Sequence, residues 1–381
     1  MNPHAAPQTE PPAPAGAEPM QRPGRPVTIE WKGDPFSLGG LGAINLALNI
    51  CTLGIYSFWG RTEIRKRVWS CVRINGEPLA YTGTGGEMFK GFLMVFGVVL
   101  LPLLAIQVGS IVVFGPKSVV HQIIQVASYV GFIYLLGVAS WRARRYRLSR
   151  TAWRGIRGTM EGSSWKFGAK SFFSALLYPL TLGWMAPWRA NMLQRELSND
   201  TRLGNRPMKY VGTTQGLYGP FSALWFGSIG LYLLLIGGIL AQTWVDTDGF
   251  KKPQGQVQMS PGAVLGILLL VFLVLFLFSI ISGWYRSRLY NHFARSTTYE
   301  GARFSLDTTG GGLIALFISN YMMSAFTFGI LRPVAEARAM KYFIDRLRLE
   351  GPVDLDAIAQ NEAAQDRTGE GLATIFDVDV V

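Results

Sequence analysis

Charge is scarce in this chain of 381 residues: Asp, Glu, Lys and Arg make up 16 % of it, and long stretches hold none. Gly91 to Pro116, Ser118 to Trp141, Tyr210 to Val245 and Pro253 to Tyr285 lack all four residue types. Each exceeds the roughly 20 residues that cross a hydrocarbon core of about 30 Å. A water-soluble globule is thereby excluded, and four membrane spans are predicted. Cysteine is rarer still. Cys51 and Cys71 are the only two, which argues against a structural disulfide and offers no zinc spacing. The three histidines, His4, His121 and His292, are scattered, so no metal site is expected.

Other absences narrow the function. No HExxH helix is present, no phosphate-cradling Gly-x-x-x-x-Gly-Lys loop, and "GTGG" at 83–86 lacks the lysine. No Ser or Cys stands beside a placed base. The four long spans hold no carboxylate of the kind an ion-coupled transporter keeps in the membrane. Neither a cofactor nor an enzymatic activity is expected. The net charge of +12 is accounted for by a bilayer, and nucleic acid is not expected as a partner.

The two ends have compositions of their own. Residues 1–30 are rich in Pro and Ala without an apolar core, which reads as a disordered tail and not as a cleaved signal. From Gly351 to Val381 the chain is acidic, with seven Asp or Glu against Arg367 alone, and forms a second tail able to meet a partner. Between them, residues 31–350 form one membrane domain.

What is present is a repeat. "TLGIYSFWG" begins at Thr52 and "TLGWMAPWR" at Thr181. A shift of 129 positions carries Gly54 onto Gly183, Trp59 onto Trp188, Arg73 onto Arg202, and Tyr81 onto Tyr210 without a gap. A worn third copy, "FTFGILRP", lies 146 further on, placing Gly329 on Gly183 and Arg348 on Arg202. The same second shift pairs "TAWRGIR" with "TTYEGAR", and so Arg157 with Arg303. The repeats run over about 33–141, 153–285 and a partial 299–350. Each complete unit reads as a Gly-broken apolar segment, an arginine-rich helix, a short extended stretch and two long spans. The helix over 59–74 puts Ile64, Val68, Cys71 and Val72 on one stripe, as suits the interface plane. "GEPLAYTGT" reads as extended.

Lys and Arg beside membrane segments stay in the cytoplasm. Basic clusters precede the first and third long spans and follow the second and fourth, leaving Lys117, Lys251 and Lys252 outside. The segment at 167–188 then has basic clusters at both ends, so it begins and ends on the same side. Thr52, Gly54, Thr181, Gly183 and Gly329 accordingly read as turns of re-entrant hairpins. Hydropathy alone also permits seven ordinary spans.

In "TLGIYSFW", "TAWRGIRG" and the Tyr-x-Gly-Thr endings the chain resembles the YjgN-like family of bacterial inner-membrane proteins, a domain of unknown function. The resemblance covers roughly residues 30–350. It implies a multi-pass inner-membrane protein with cytoplasmic basic segments and brings no reaction or substrate.

The sequence therefore predicts an all-α polytopic membrane protein with tandem pseudo-repeats, short cytoplasmic extended elements and both tails in the cytoplasm. The recurring Arg73, Arg202, Arg157 and Arg303, with Trp59 and Trp188, are the candidate site for anionic lipid, since guanidinium forks suit phosphate. Passive or lipid-related transport is one reading, with Asn45, Asn49, Asn320, Gln107 and Gln125 lining a path. The alternative is a scaffold or regulator of a membrane partner such as an envelope protease.

Overall fold

The computed structural model describes residues 25–246, 260–355 and 358. Four β-hairpins share one plan, a three-residue strand, a two-residue turn and a five-residue strand. They are β3 (Val72–Ile74) with β4 (Glu77–Tyr81), β5 (Thr151–Trp153) with β6 (Ile156–Met160), β7 (Thr201–Leu203) with β8 (Arg206–Tyr210), and β9 (Thr297–Tyr299) with β10 (Ala302–Leu306). The turns Asn75-Gly76, Arg154-Gly155 and Glu300-Gly301 hold both residues at positive φ, as a two-residue turn matched to strand twist requires.

The hairpins join into one antiparallel sheet of eleven strands, completed by β1 (Arg25–Val27), β2 (Ile29–Trp31) and β11 (Leu347–Val353). β1 pairs with β11 at one end of the strand order and β2 with β3 at the other. Only Thr28 separates β1 from β2, so one chain segment forms both ends and the sheet closes on itself. Asn75 seals the joint: its Oδ1 accepts from the Thr28 backbone N–H at 2.7 Å, and its own N–H donates to the Thr28 carbonyl at 2.9 Å. Ile29, Ile74, Ile156, Leu203, Tyr299 and Leu349 come from around the ring and pack in one cluster with Val27, Val353 and Ile358.

This sheet enlarges the expectation of short separate extended elements. It also corrects the domain limits, because residues 25–30 and 351–353 belong to it. The physical reason is that β3 and β11 would otherwise be open edges. The remainder of the N-terminal tail, residues 1–24, and the acidic tail beyond residue 358 lie outside the described residues.

A helical hairpin stands between successive strand pairs. Two are long. In the first, α3 (Gly85–Val95) runs through a π-turn at Phe96–Leu100 into α4 (Leu101–Phe114) and returns as α5 (Val119–Arg150). Pro102, which lacks an N–H, sits just past the π-turn and accounts for it. The second pairs α8 (Gln215–Asp246) with α9 (Pro261–Arg295). With Gly85–Phe114 taken as one, these are the four helices long and apolar enough to cross a membrane among the described residues. They start and stop at different residues from the apolar runs: α5 and α9 carry on through their basic ends to the sheet. Lys251, Lys252 and the predicted start at Pro253 lie outside the described residues.

Three hairpins are short: α1 (Gly39–Cys51) with α2 (Ser57–Cys71), α6 (Ser164–Leu180) with α7 (Ala186–Asn199), and α10 (Gly310–Phe326) with α11 (Arg332–Ile344). Their turns are alike. Thr52, Thr181 and Thr327 each return a hydroxyl bond of 2.7 Å to the carbonyl four residues back. Leu53, Leu182 and Phe328 follow at φ near +50°, then Gly54, Gly183 and Gly329 at φ between 81° and 90°. Each glycine N–H reaches the carbonyl five residues earlier, closing a Schellman-type cap. The two ends of each short hairpin also meet at the sheet, through Lys32 N–H to Cys71 O, Glu161 N–H to Asp200 O, and Asp307 N–H to Arg346 O.

The stripe on α2 differs from expectation. Ile64 and Val68 do not lie in an interface plane but are buried against Val334 and Ala337 of α11, together with Trp31, Leu38 and Val72. Val72 itself opens β3. The first and last hairpins thus pack together wherever the sheet brings the chain ends together.

Candidate seam cavity

Ring closure places two short hairpins side by side, whereas elsewhere short and long alternate. At this seam lies a cavity of about 550 Å³. Its walls are largely apolar, with Leu46, Ile64, Val68, Pro333 and Met340. Its polar residues include Asn45, Asn49, Asn320 and Ser57, with Arg61, Arg65, Arg147, Arg332 and Glu336. Along α2 the lining runs from Ser57 to Trp69, about 18 Å at 1.5 Å per residue. The cavity therefore extends from the hairpin turns to the sheet.

Close packing shapes it. A Cβ on Gly42 of α1 would stand 1.9 Å from the Ile330 carbonyl oxygen, and one on Gly60 of α2 would meet the Asn45 amide at 3.1 Å. Only glycine at 42 lets α1 reach the last hairpin, and glycine at 60 leaves room for the Asn45 amide against α2. Asn45 Nδ2 donates to Gly60 O at 3.5 Å, and Asn320 Nδ2 to Ala335 O at 3.0 Å. The Oδ1 atoms of Asn45, Asn49 and Asn320 are buried with no hydrogen-bond partner. Four guanidinium groups, of which Arg332 pairs with Glu336 at 3.4 Å, and three unmatched acceptors on apolar walls make an amphiphile site.

The arginines singled out by repetition lie elsewhere. Arg73, Arg157, Arg202 and Arg303 alternate with Ile74, Ile156, Leu203 and Phe304, whose side chains fill the ring, so they occupy its outer face. They sit on β3, β6, β7 and β10 and do not converge. Arg202 pairs with Glu161 at 2.7 Å, Arg73 donates to Gly76 O at 3.2 Å, and Arg303 is paired in register with Glu350. Trp59 packs on Phe89 at the start of the first long hairpin, and Trp188 is half-buried on α7. Thr52, Gly54, Thr181, Gly183 and Gly329 stand at turns, as described.

Asn45, Asn49 and Asn320 come together in the cavity, while Gln107 and Gln125 do not. Arg61, Arg65 and Arg147 belong to the basic clusters that flank the long spans and count in the sequence as topological charge, while Gly42, Gly60 and Arg332 carry no local mark of a site. A signal for them existed in the repeat: Gly60 stands where the middle hairpin carries Arg189.

Other polar clusters explain motifs. A Cβ on Gly212 would strike the Tyr210 ring, and with that space Tyr210 donates to Asn191 Oδ1 while Asn191 donates to Gly212 O. The Tyr-x-Gly-Thr endings share the close approach of glycine to the tyrosine ring, at Gly83 on Tyr81 as at Gly212 on Tyr210, but the bond to asparagine belongs to the second copy. Asp200 accepts from Trp141 Nε1 at 2.9 Å, and burial above all pushes its carboxyl up from the usual range; the Trp141 bond opposes that rise, Glu196 adds to it and Lys170 opposes it. Burial likewise pushes the Tyr210 phenol up to about 12. Among the described residues no three His, Cys, Asp or Glu side chains group to hold a metal ion.

Comparison with known proteins agrees with this picture at the level of family. A curated relative is the inner membrane protein YjgN of Salmonella typhimurium, 35 % identical over 66 residues. That stretch covers 17 % of this chain and 17 % of the relative. No solved structure matches. The family model described as a bacterial protein of unknown function, DUF898, matches residues 26–375, almost the whole of the described fold. The chain belongs to the DUF898 family of bacterial proteins of unknown function.

Proposed function

We propose that this chain is a multi-pass protein of the bacterial inner membrane that takes phospholipid from the leaflet beside the sheet. It is a lipid-related transporter without enzymatic activity, and the seam cavity is its headgroup site. In this reading the sheet and both tails are cytoplasmic and the three short hairpins enter one leaflet without crossing. The name of the Salmonella relative supports the inner membrane.

The hairpin tips support partial insertion. Leu53, Leu182 and Phe328 are 95 %, 77 % and 87 % exposed, which suits lipid and not water. Trp225 Nε1 donates to the Leu182 carbonyl at 2.9 Å and so satisfies backbone freed at the turn. Trp225 lies ten residues into α8, so this tip sits about 15 Å along a spanning helix, within the leaflet next to the sheet. Arginines at the sheet ends of α5 and α9, with Lys117 at the far end of the first long hairpin, support a cytoplasmic sheet.

The observation that carries the lipid reading is the cavity itself, cationic and amphipathic, running from the inserted turns to the sheet. Guanidinium forks match a phosphodiester, and the apolar walls match the first carbons of the chains. The test is photo-crosslinking with phospholipid bearing a reactive group near the headgroup. Labelling of α1, α2 and α11, removed by Ala339→Phe, supports the reading; labelling unchanged by that substitution sinks it.

A further inference from the structure

The three unmatched asparagine oxygens determine which headgroup the seam cavity accepts, an inference that rests on the lipid reading above. The 3.0 Å bond from Asn320 Nδ2 to Ala335 O orients that amide, and Asn45 Nδ2 makes a longer 3.5 Å contact with Gly60 O, which leaves each Oδ1 as an acceptor. Asn45 is only 6 % exposed, and neither its Oδ1 nor those of Asn49 and Asn320 meet a donor. A buried acceptor without a donor is costly to the fold. A ligand relieves it only by bringing N–H or O–H groups.

The chain contains its own template for such a ligand. The shift of 129 carries Asn45 onto Ser174 and Gly60 onto Arg189; the shift of 146 carries Ser174 onto Asn320 and Arg189 onto Ala335. In the middle hairpin the Arg189 guanidinium fills the space between the two helices. It donates to Ser174 Oγ at 3.1 Å and to Ser171 Oγ at 3.0 Å, and lies 5.6 Å from the Tyr178 ring centroid. At the first and last hairpins the arginine is replaced by Gly60 and Ala335, while acceptors are kept as the longer Asn45 and Asn320. The middle hairpin thus shows an N–H-bearing cation held between helices at the place where the seam offers acceptors and space.

We infer that the seam cavity recognises a phospholipid headgroup by its hydrogen-bond donors, taking the primary ammonium of ethanolamine in preference to the trimethylammonium of choline. Both headgroups carry the same charges. Only ethanolamine brings N–H groups to Asn45, Asn49 and Asn320, while the phosphate of either meets the arginines. Donor count, and not charge, decides between them.

The experiment uses the full chain, delipidated in detergent, titrated with phosphatidylethanolamine, phosphatidylglycerol and phosphatidylcholine of identical acyl chains and read by native mass spectrometry. The expected result is binding of the ethanolamine lipid at least tenfold tighter than the choline lipid. Asn320→Leu should bring the ethanolamine lipid down to the level of the choline lipid and leave the choline lipid unchanged. Asn45→Leu, checked for an unaltered thermal midpoint, provides an independent second variant. Phosphatidylglycerol binding as tightly as the ethanolamine lipid supports the inference, since its hydroxyls are donors. Equal binding of ethanolamine and choline lipids, both lost in Ala339→Phe, overturns donor recognition and leaves the lipid site standing. Glycerol lipid bound alone overturns it too, since net charge would then decide. Binding of all three unaffected by Ala339→Phe overturns the lipid reading itself.

Discussion

Gly40 and Gly42 stand two residues apart on α1, and alanine at each has opposite consequences. A Cβ at Gly40 meets nothing within 4 Å, whereas at Gly42 it falls 1.9 Å from the Ile330 carbonyl oxygen and 3.3 Å from Pro333 Cδ. A carbon and a carbonyl oxygen approach comfortably at about 3.3 Å, so Gly42→Ala pushes α1 away from the last hairpin by roughly 1.4 Å at that point. The obstacle is backbone and has no rotamer to yield. Overpacking of this kind costs about 1–3 kcal/mol, against a gain in helix propensity of about 1 kcal/mol that both variants share. Thermal unfolding in detergent, followed by tryptophan fluorescence, should show Gly40→Ala with a raised midpoint and Gly42→Ala with a lowered one. Equal shifts of the same sign would refute the close approach of the two hairpins and, with it, the shape of the cavity.

Further outcomes follow from single contacts. Gly54→Ala and Gly329→Ala meet no atom but force alanine to φ of 90° and 85°, so each should lose roughly 1–2 kcal/mol in chemical unfolding. Asn75→Ala removes both the tolerated positive φ and the Oδ1 acceptor for Thr28, while Asn75→Gly removes that acceptor alone, the backbone bond to Thr28 staying in both; alanine should be the more damaging by about 1 kcal/mol in the same assay. Asp200 has a folded pKa above its unfolded one, so the fold binds its proton more tightly and stability rises as pH falls through the folded value. Asp200→Asn keeps an acceptor for Trp141 and should raise the midpoint at pH 7, with the advantage vanishing once both carboxyl states are protonated at low pH.

How much of this was legible in the sequence varies with the range of the interaction. The four spans follow from composition, because lipid demands uncharged side chains over a fixed length. The Thr-Leu-Gly turns were legible because a helix cap is local and needs only its own few residues. Four strand–turn–strand units were half legible: Asn75-Gly76 between apolar residues is a hairpin signal, but "TAWRGIR" and "TTYEGAR" match one another without marking themselves as strands. Closure of the sheet left no local trace, since β1 meets β11 across almost the whole chain and residues 25–30 look like the end of a Pro-rich tail. The cavity depends on that closure. Asn45, Asn49 and Asn320 could be picked out as polar residues in apolar segments, yet nothing local places the first hairpin against the last. Arg73, Arg157, Arg202 and Arg303 recur because each occupies the same outward position on its strand, which repetition alone does not distinguish from a site.

Ring closure is the point on which cavity, seam and headgroup site all depend, and a disulfide tests it directly. Val27 and Leu349 are register partners across β1 and β11, next to a register shift between Pro26 and Val27, and opposed strand residues place their Cα atoms about 4.5–5.5 Å apart, within disulfide range. In a chain with Cys51 and Cys71 changed to serine, Val27→Cys with Leu349→Cys should form an intramolecular bond on mild oxidation. The product is a circularised band of altered electrophoretic mobility, formed as readily as that of the control pair Thr159→Cys and Arg202→Cys across β6 and β7. Closure of the control pair alone would contradict the ring and leave the first and last hairpins apart.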